Sequence, residues 1–186
     1  MSELPLPNVE IDRATDWPAV LSSVRDYWNE KRGSRAMPSR SDISPAQLKS
    51  FLPYILLADV VDAGKDFRYR VVGTQLREFF YFEPTGKLMS EAVAPFGRDT
   101  VQATLTGYRA VMERRAPMRL TGAGAWFGQN PKFFDALLAP MSDDGEAVNM
   151  IFGTFIFVWD RDHQFRSPPG LEDMPRPSEL NPALCT

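Results

Sequence analysis

Apolar and polar positions along the chain change period several times, and each change marks an element. From Asp16 to Gly33 the apolar residues Trp17, Val20, Leu21, Val24, Tyr27 and Trp28 recur at helical spacing, with Ser22, Arg25, Asp26 and Glu30 on the other face. This predicts an amphipathic helix over 16–33, with Lys31 and Arg32 beside its negative end. Two tryptophans and a tyrosine are a large apolar surface for one helix, so the stripe is expected to lie on the domain or on a second copy of it. In Ser44-Pro45-Ala46-Gln47 the proline sits at a first helical position and the glutamine three residues after a serine cap. The pattern predicts a short helix that stops before Pro53.

The period then shortens. Ile55 to Val61 is an apolar run, Asp62-Ala63-Gly64-Lys65-Asp66 a turn, and Phe67 to Val72 a second run rich in aromatic and β-branched residues, together a hairpin. Gly73-Thr74 stops the strand, and Leu76, Phe79 and Phe80 return to helical spacing, with Thr74 as the expected cap. Lys87 to Pro95 reads as loop with a helical turn, and Gly97 to Arg115 as a long helix with the stripe Val101, Leu105, Tyr108 and Met112 and with Val111 beside it. Strands are expected at Met118–Ala123, Lys132–Met141 and Ala147–Trp159, the last two joined by the Asp-Gly turn in Ser142–Glu146. Residues 1–15 read as a flexible arm, 16–160 as one domain, and 161–186, with five prolines, as a flexible tail.

Composition narrows the chemistry. The 186 residues are 44% hydrophobic and 12% aromatic, enough for one sizeable core. No apolar run is long enough to span a membrane and no leader pattern opens the chain, so a cytoplasmic location is expected. A formal charge of −3 gives no basic footprint for nucleic acid. The single histidine, His163, and the single cysteine, Cys185, both fall in the tail, away from any packed element that could hold them for catalysis or metal binding. Arg35, Arg40 and Asp42 read as a salt-bridged connector, with a ligand-binding patch as the alternative, and Asp59 and Arg70 as a structural ion pair.

Two hairpins flanking a helical middle imply an α+β fold, a five-stranded antiparallel sheet with helices on one face plus the N-terminal helix. That order, with Tyr27-Trp28, Arg32-Gly33, Pro38-Ser-Arg-Ser-Asp-Ile-Ser-Pro45, Leu52-Pro53, Asp59-Val60-Val61, Phe67-Arg-Tyr-Arg-Val-Val-Gly-Thr74 and Thr85-Gly86, resembles the PAS domain family. Within it, these residues resemble the branch of small, mainly alphaproteobacterial single-domain proteins. The resemblance implies a sensor that holds a small ligand between the central helices and the sheet and signals by binding another protein. No histidine lies on the long helix for haem and no cysteine lies inside the domain for a flavin adduct, so both are disfavoured and the cofactor is left open. Expected ligand-binding residues are Leu57, Tyr69, Phe79, Met89, Tyr108, Met112, Trp126, Phe134 and Phe152, with ordinary core as the alternative for each. A homodimer is expected through Trp17, Val24, Tyr27 and Trp28. The chain is expected not to be an enzyme. The alternatives are a ligand-free interaction scaffold and, further off, a small α+β enzyme built on Asp135 and Glu113.

Overall fold

A computed structural model describes residues 18–80, 83–123 and 133–158. Strands β1 (Ile55–Val61), β2 (Asp66–Val72), β3 (Met118–Ala123), β4 (Phe133–Met141) and β5 (Met150–Val158) form one antiparallel sheet in the order β2-β1-β5-β4-β3. The two expected hairpins join through β1 and β5, where Ile55 lies opposite Thr154 and Asp59 opposite Met150. The α+β expectation is met, with all five strands in place.

Side chains on a strand alternate between faces. Leu56 and Ala58 of β1, Phe67 and Tyr69 of β2, and Phe134, Ala136 and Leu138 of β4 enter one core beneath α2 (Thr74–Phe80), α3 (Met89–Val93) and α4 (Arg98–Arg114). Ile55 and Leu57 of β1, Leu137, Ala139 and Met141 of β4, and Phe152 and Ile156 of β5 enter a second core. That second core is covered by α1 (Ala19–Arg32) together with Met37, Ile43, Leu48, Phe51 and Tyr54 of the stretch that follows it. Both faces of the central strands are therefore buried, which is why these strands read as unbroken apolar runs rather than as alternating ones.

The aromatic stripe of α1 turns inward. Val24, Tyr27 and Trp28 are 0%, 5% and 2% exposed within a single chain. This corrects the expectation that they form an exposed dimer surface; Trp17, the fourth residue of that set, lies outside the described residues. The physical reason is the second apolar face of the sheet. Packing in cis buries the stripe without the translational and rotational entropy that association with another copy would cost. Polar anchors fix the seat: the Trp28 indole N–H donates to the Pro140 carbonyl at 2.9 Å, and the Tyr27 hydroxyl accepts the Ser44 amide at 2.8 Å. Burial raises the Tyr27 pKa above its ordinary value, so this hydroxyl stays neutral.

The connector is a brace. Arg35 donates to the Lys31 carbonyl at 2.7 Å and the Arg32 carbonyl at 3.2 Å, satisfying the open end of α1, and its guanidinium also meets Asp42 at 2.8 Å. Asp42 accepts the Ser39 amide at 2.7 Å and its hydroxyl at 2.9 Å; these bonds, the amide first, and then Arg35, hold its carboxyl below the usual range. The helix expected after Ser44 is instead a series of turns over 45–51, followed by a 3-10 turn at Leu52–Tyr54. Thr74 is the first residue of α2 rather than its cap, and the Gly73 carbonyl accepts the Arg77 amide at 3.0 Å.

Candidate functional site

The core beneath α2, α3 and α4 is built by alternation on the sheet and helical spacing on α4. Phe67 and Tyr69, two apart on β2, face Leu105, Tyr108 and Val111 of α4. The rings of Phe67 and Tyr108 sit 5.0 Å apart between centroids and are tilted by 53°, a favourable aromatic geometry. Met89 of α3 is fully buried beside them, and Phe134 lies on β4 with its ring 6.2 Å from that of Phe155.

Two phenols stand in this otherwise apolar set. Burial pushes the pKa of Tyr69 up, with the charge of Asp66 adding to the effect. Burial likewise raises Tyr108, and Tyr69 adds to it. Both are therefore neutral near pH 7, able to donate one hydrogen bond and accept others. Asp66, at the start of β2, receives the amide and hydroxyl of Ser90 and so ties α3 to the rim of the same core.

Of the expected ligand-binding residues, Tyr69, Met89, Tyr108, Met112 and Phe134 come together here. Leu57 and Phe152 do not. They are direct cross-strand partners on the opposite face, in the core under α1. An unbroken apolar run fixes which residues share a face but not which face that is, so the expected set divides between the two cores. Trp126 and the side chain of Phe79 lie outside the described residues. Phe67, outside the expected set, joins Tyr69 in this core, as its spacing of two along β2 implies.

The pair named for an enzyme is not brought together. Asp135 is 0% exposed on the α1 face of β4, where Arg119 of β3 holds it through two bonds of 2.8 and 2.6 Å. Glu113 is exposed on α4, on the other side of the sheet. The Asp59–Arg70 pair forms as expected, at 2.6 Å, on the exposed part of the hairpin. Among the described residues no group of three or more His, Cys, Asp or Glu side chains could hold a metal, and no helix is long and apolar enough to cross a membrane.

No curated protein matches the chain. The solved structure of the PAS domain from Bordetella pertussis BvgS aligns with 62% of this chain and 84% of its own, at 16% identity and a TM-score of 0.47. A family model described as PAS domain matches residues 18–156. The match runs from the start of α1 to the end of the sheet, and the chain belongs to the PAS domain family, whose members are in general sensory and regulatory domains.

Proposed function

We propose that this domain senses a small apolar or weakly polar molecule taken up between the sheet and helices α2–α4, and that it signals by binding another protein. The observation that carries the reading is the pair Tyr69 and Tyr108, two neutral hydroxyls inside an apolar enclosure. Small-molecule sites have that make-up, mostly apolar walls with a few polar groups to orient the guest. A guest with a hydrogen-bond acceptor and an apolar body suits them. Among the described residues of this core the two phenols are the ionisable groups, so a charged guest would be left uncompensated.

Native mass spectrometry of freshly purified protein, compared with the same sample after denaturation, tests the reading. A mass excess lost on denaturation, and reduced in the Tyr69→Phe/Tyr108→Phe variant, is the expected result. A second reading is a ligand-free interaction domain, and one observation favours it: Phe67, Met89 and Val111 are fully buried by the chain's own side chains. A clean apo mass in every preparation supports that reading and refutes the sensor.

A further inference from the structure

The turn between β1 and β2 holds three successive residues at positive φ: Asp62 at 48°, Ala63 at 54° and Gly64 at 88°. Glycine takes this conformation freely, and aspartate with modest difficulty. Alanine, whose Cβ meets the following carbonyl, avoids it. Strained backbone persists only where its surroundings over-determine it. Here the surroundings are α4. Arg109 donates from Nε to the Gly64 carbonyl and from Nη2 to the Lys65 carbonyl, both at 2.8 Å. Met112, one turn further along α4, borders Gly64, with its sulfur 3.0 Å from the point a Cβ there would occupy. Within the turn the Lys65 amide donates a longer bond to the Asp62 carbonyl, at 3.2 Å, and the β1–β2 ladder begins beside it at Val61 and Asp66.

The same stretch of α4 faces the core. Tyr108 packs its ring at a tilt against Phe67, two residues beyond Lys65, and Val111 is fully buried among the residues that enclose the proposed site. Arg109 thus stands between the inner wall and an exposed hairpin end. We propose that the turn at 62–64 is a latch which Arg109 holds in its strained form only while α4 is fully seated. A small outward shift of α4 lengthens both guanidinium contacts and lets the turn relax, so that filling of the enclosure is reported at the tip of the β1–β2 hairpin. This rests on the sensor reading for its trigger, but the coupling is a property of the protein alone.

Amide hydrogen exchange at Lys65, read by NMR on the full chain without added ligand, tests it. Arg109→Gln removes the clamp and is expected to speed exchange at Lys65 about tenfold beyond any change at the slowest amides. Val111→Ala, which loosens α4 from the inside, is expected to act in the same direction. Leu21→Ala, in the core on the other face, is expected to leave Lys65 in step with the slowest amides. Adding Ala63→Gly to Arg109→Gln removes the strain that needed a clamp and is expected to restore most of the protection.

An unchanged Lys65 in Arg109→Gln overturns the proposal, as does an equal response to Val111→Ala and Leu21→Ala. Should Val111→Ala fail to fold, Leu105→Val makes the same comparison from the same helix face. A clean apo mass would refute the sensor reading and leave these outcomes standing, while an uncoupled turn would leave a bound mass unexplained but intact.

Discussion

Replacing Gly73 by alanine should be among the most damaging single-methyl changes in the chain. Gly73 is where two connections cross: its N–H donates to the Ile55 carbonyl at 2.8 Å, its carbonyl opens α2, and its Cα faces the backbone of Leu52 and Pro53. A Cβ there would lie 2.2 Å from the Pro53 oxygen and 2.4 Å from the Leu52 oxygen, about 1 Å inside ordinary contact, which begins at 3.4 Å. Neither obstacle is a side chain that can swing away. Relief requires moving the 3-10 turn or the end of β2, which weakens the Gly73 bonds as well. Overpacking costs about 1–3 kcal/mol and each weakened bond about 1 kcal/mol, for roughly 3–5 kcal/mol in all. Against a total stability of about 5–15 kcal/mol, that is a fall in melting temperature of about 10–15 °C. Gly107→Ala is the matched comparison. Its Cβ would meet only the Cδ2 methyl of Leu120, at 2.9 Å, and alanine gains about 1 kcal/mol of helix propensity. Its net change should stay within about 1 kcal/mol. Urea unfolding followed by circular dichroism, with the slope unchanged, measures both. If Gly73→Ala costs no more than Gly107→Ala, the crossing is not the tight point described.

Asp135→Asn should cost about 3 kcal/mol by leaving the largely buried Arg119 without its counter-charge, and pairing it with Arg119→Met should recover most of that loss in a double-mutant cycle. Trp28→Phe keeps the ring packing but strands the Pro140 carbonyl, for about 1–3 kcal/mol of lost stability by thermal unfolding. The third expectation concerns acid. The Thr85 hydroxyl, then Arg77 at 2.7 Å and the Thr85 amide, hold Glu83 down to about 2. Because the folded value lies below the unfolded one, this contribution is present above about pH 4.5 and fades as pH falls toward 2. A Glu83→Gln variant should therefore differ from the parent near neutral pH and converge on it in acid. A gap that stays constant over that range would show that the exposed carboxylate does not contribute through its charge.

The strands were the legible part of the fold because hairpin chemistry is local: Asp-Gly in the β4–β5 turn, and a polar break between two β-rich runs. Met118–Ala123 was placed to the residue, and β1 as well. What local pattern could not supply was sidedness. Leu56-Leu57-Ala58 is apolar throughout, so the pattern does not say which side Leu57 takes, and its packing with Phe152 in the core under α1 settles it. The same ambiguity hid the destination of the α1 stripe, since its partner is a sheet face assembled from β1, β4 and β5, up to about 130 residues away along the chain. Asp135 and Arg119 look like two surface charges in sequence. They become one buried pair only through the β3–β4 register, which sets Thr121 opposite Asp135 and places Arg119 diagonally across.

The covered second face also bears on where the domain can be cut. A fragment opening after Gly33 would keep every strand and all three helices of the proposed site, yet it would strip Leu21, Val24, Tyr27 and Trp28 from the core that includes Leu57, Leu137, Phe152 and Ile156 and bare the part of that face they cover. A continuous apolar sheet surface of that kind favours aggregation over folding. Any fusion, transplant or shuffling of this module should therefore carry the first helix along as an integral layer. Expression of residues 34–158 alone, scored by the soluble fraction, is expected to fail where residues 18–158 succeed.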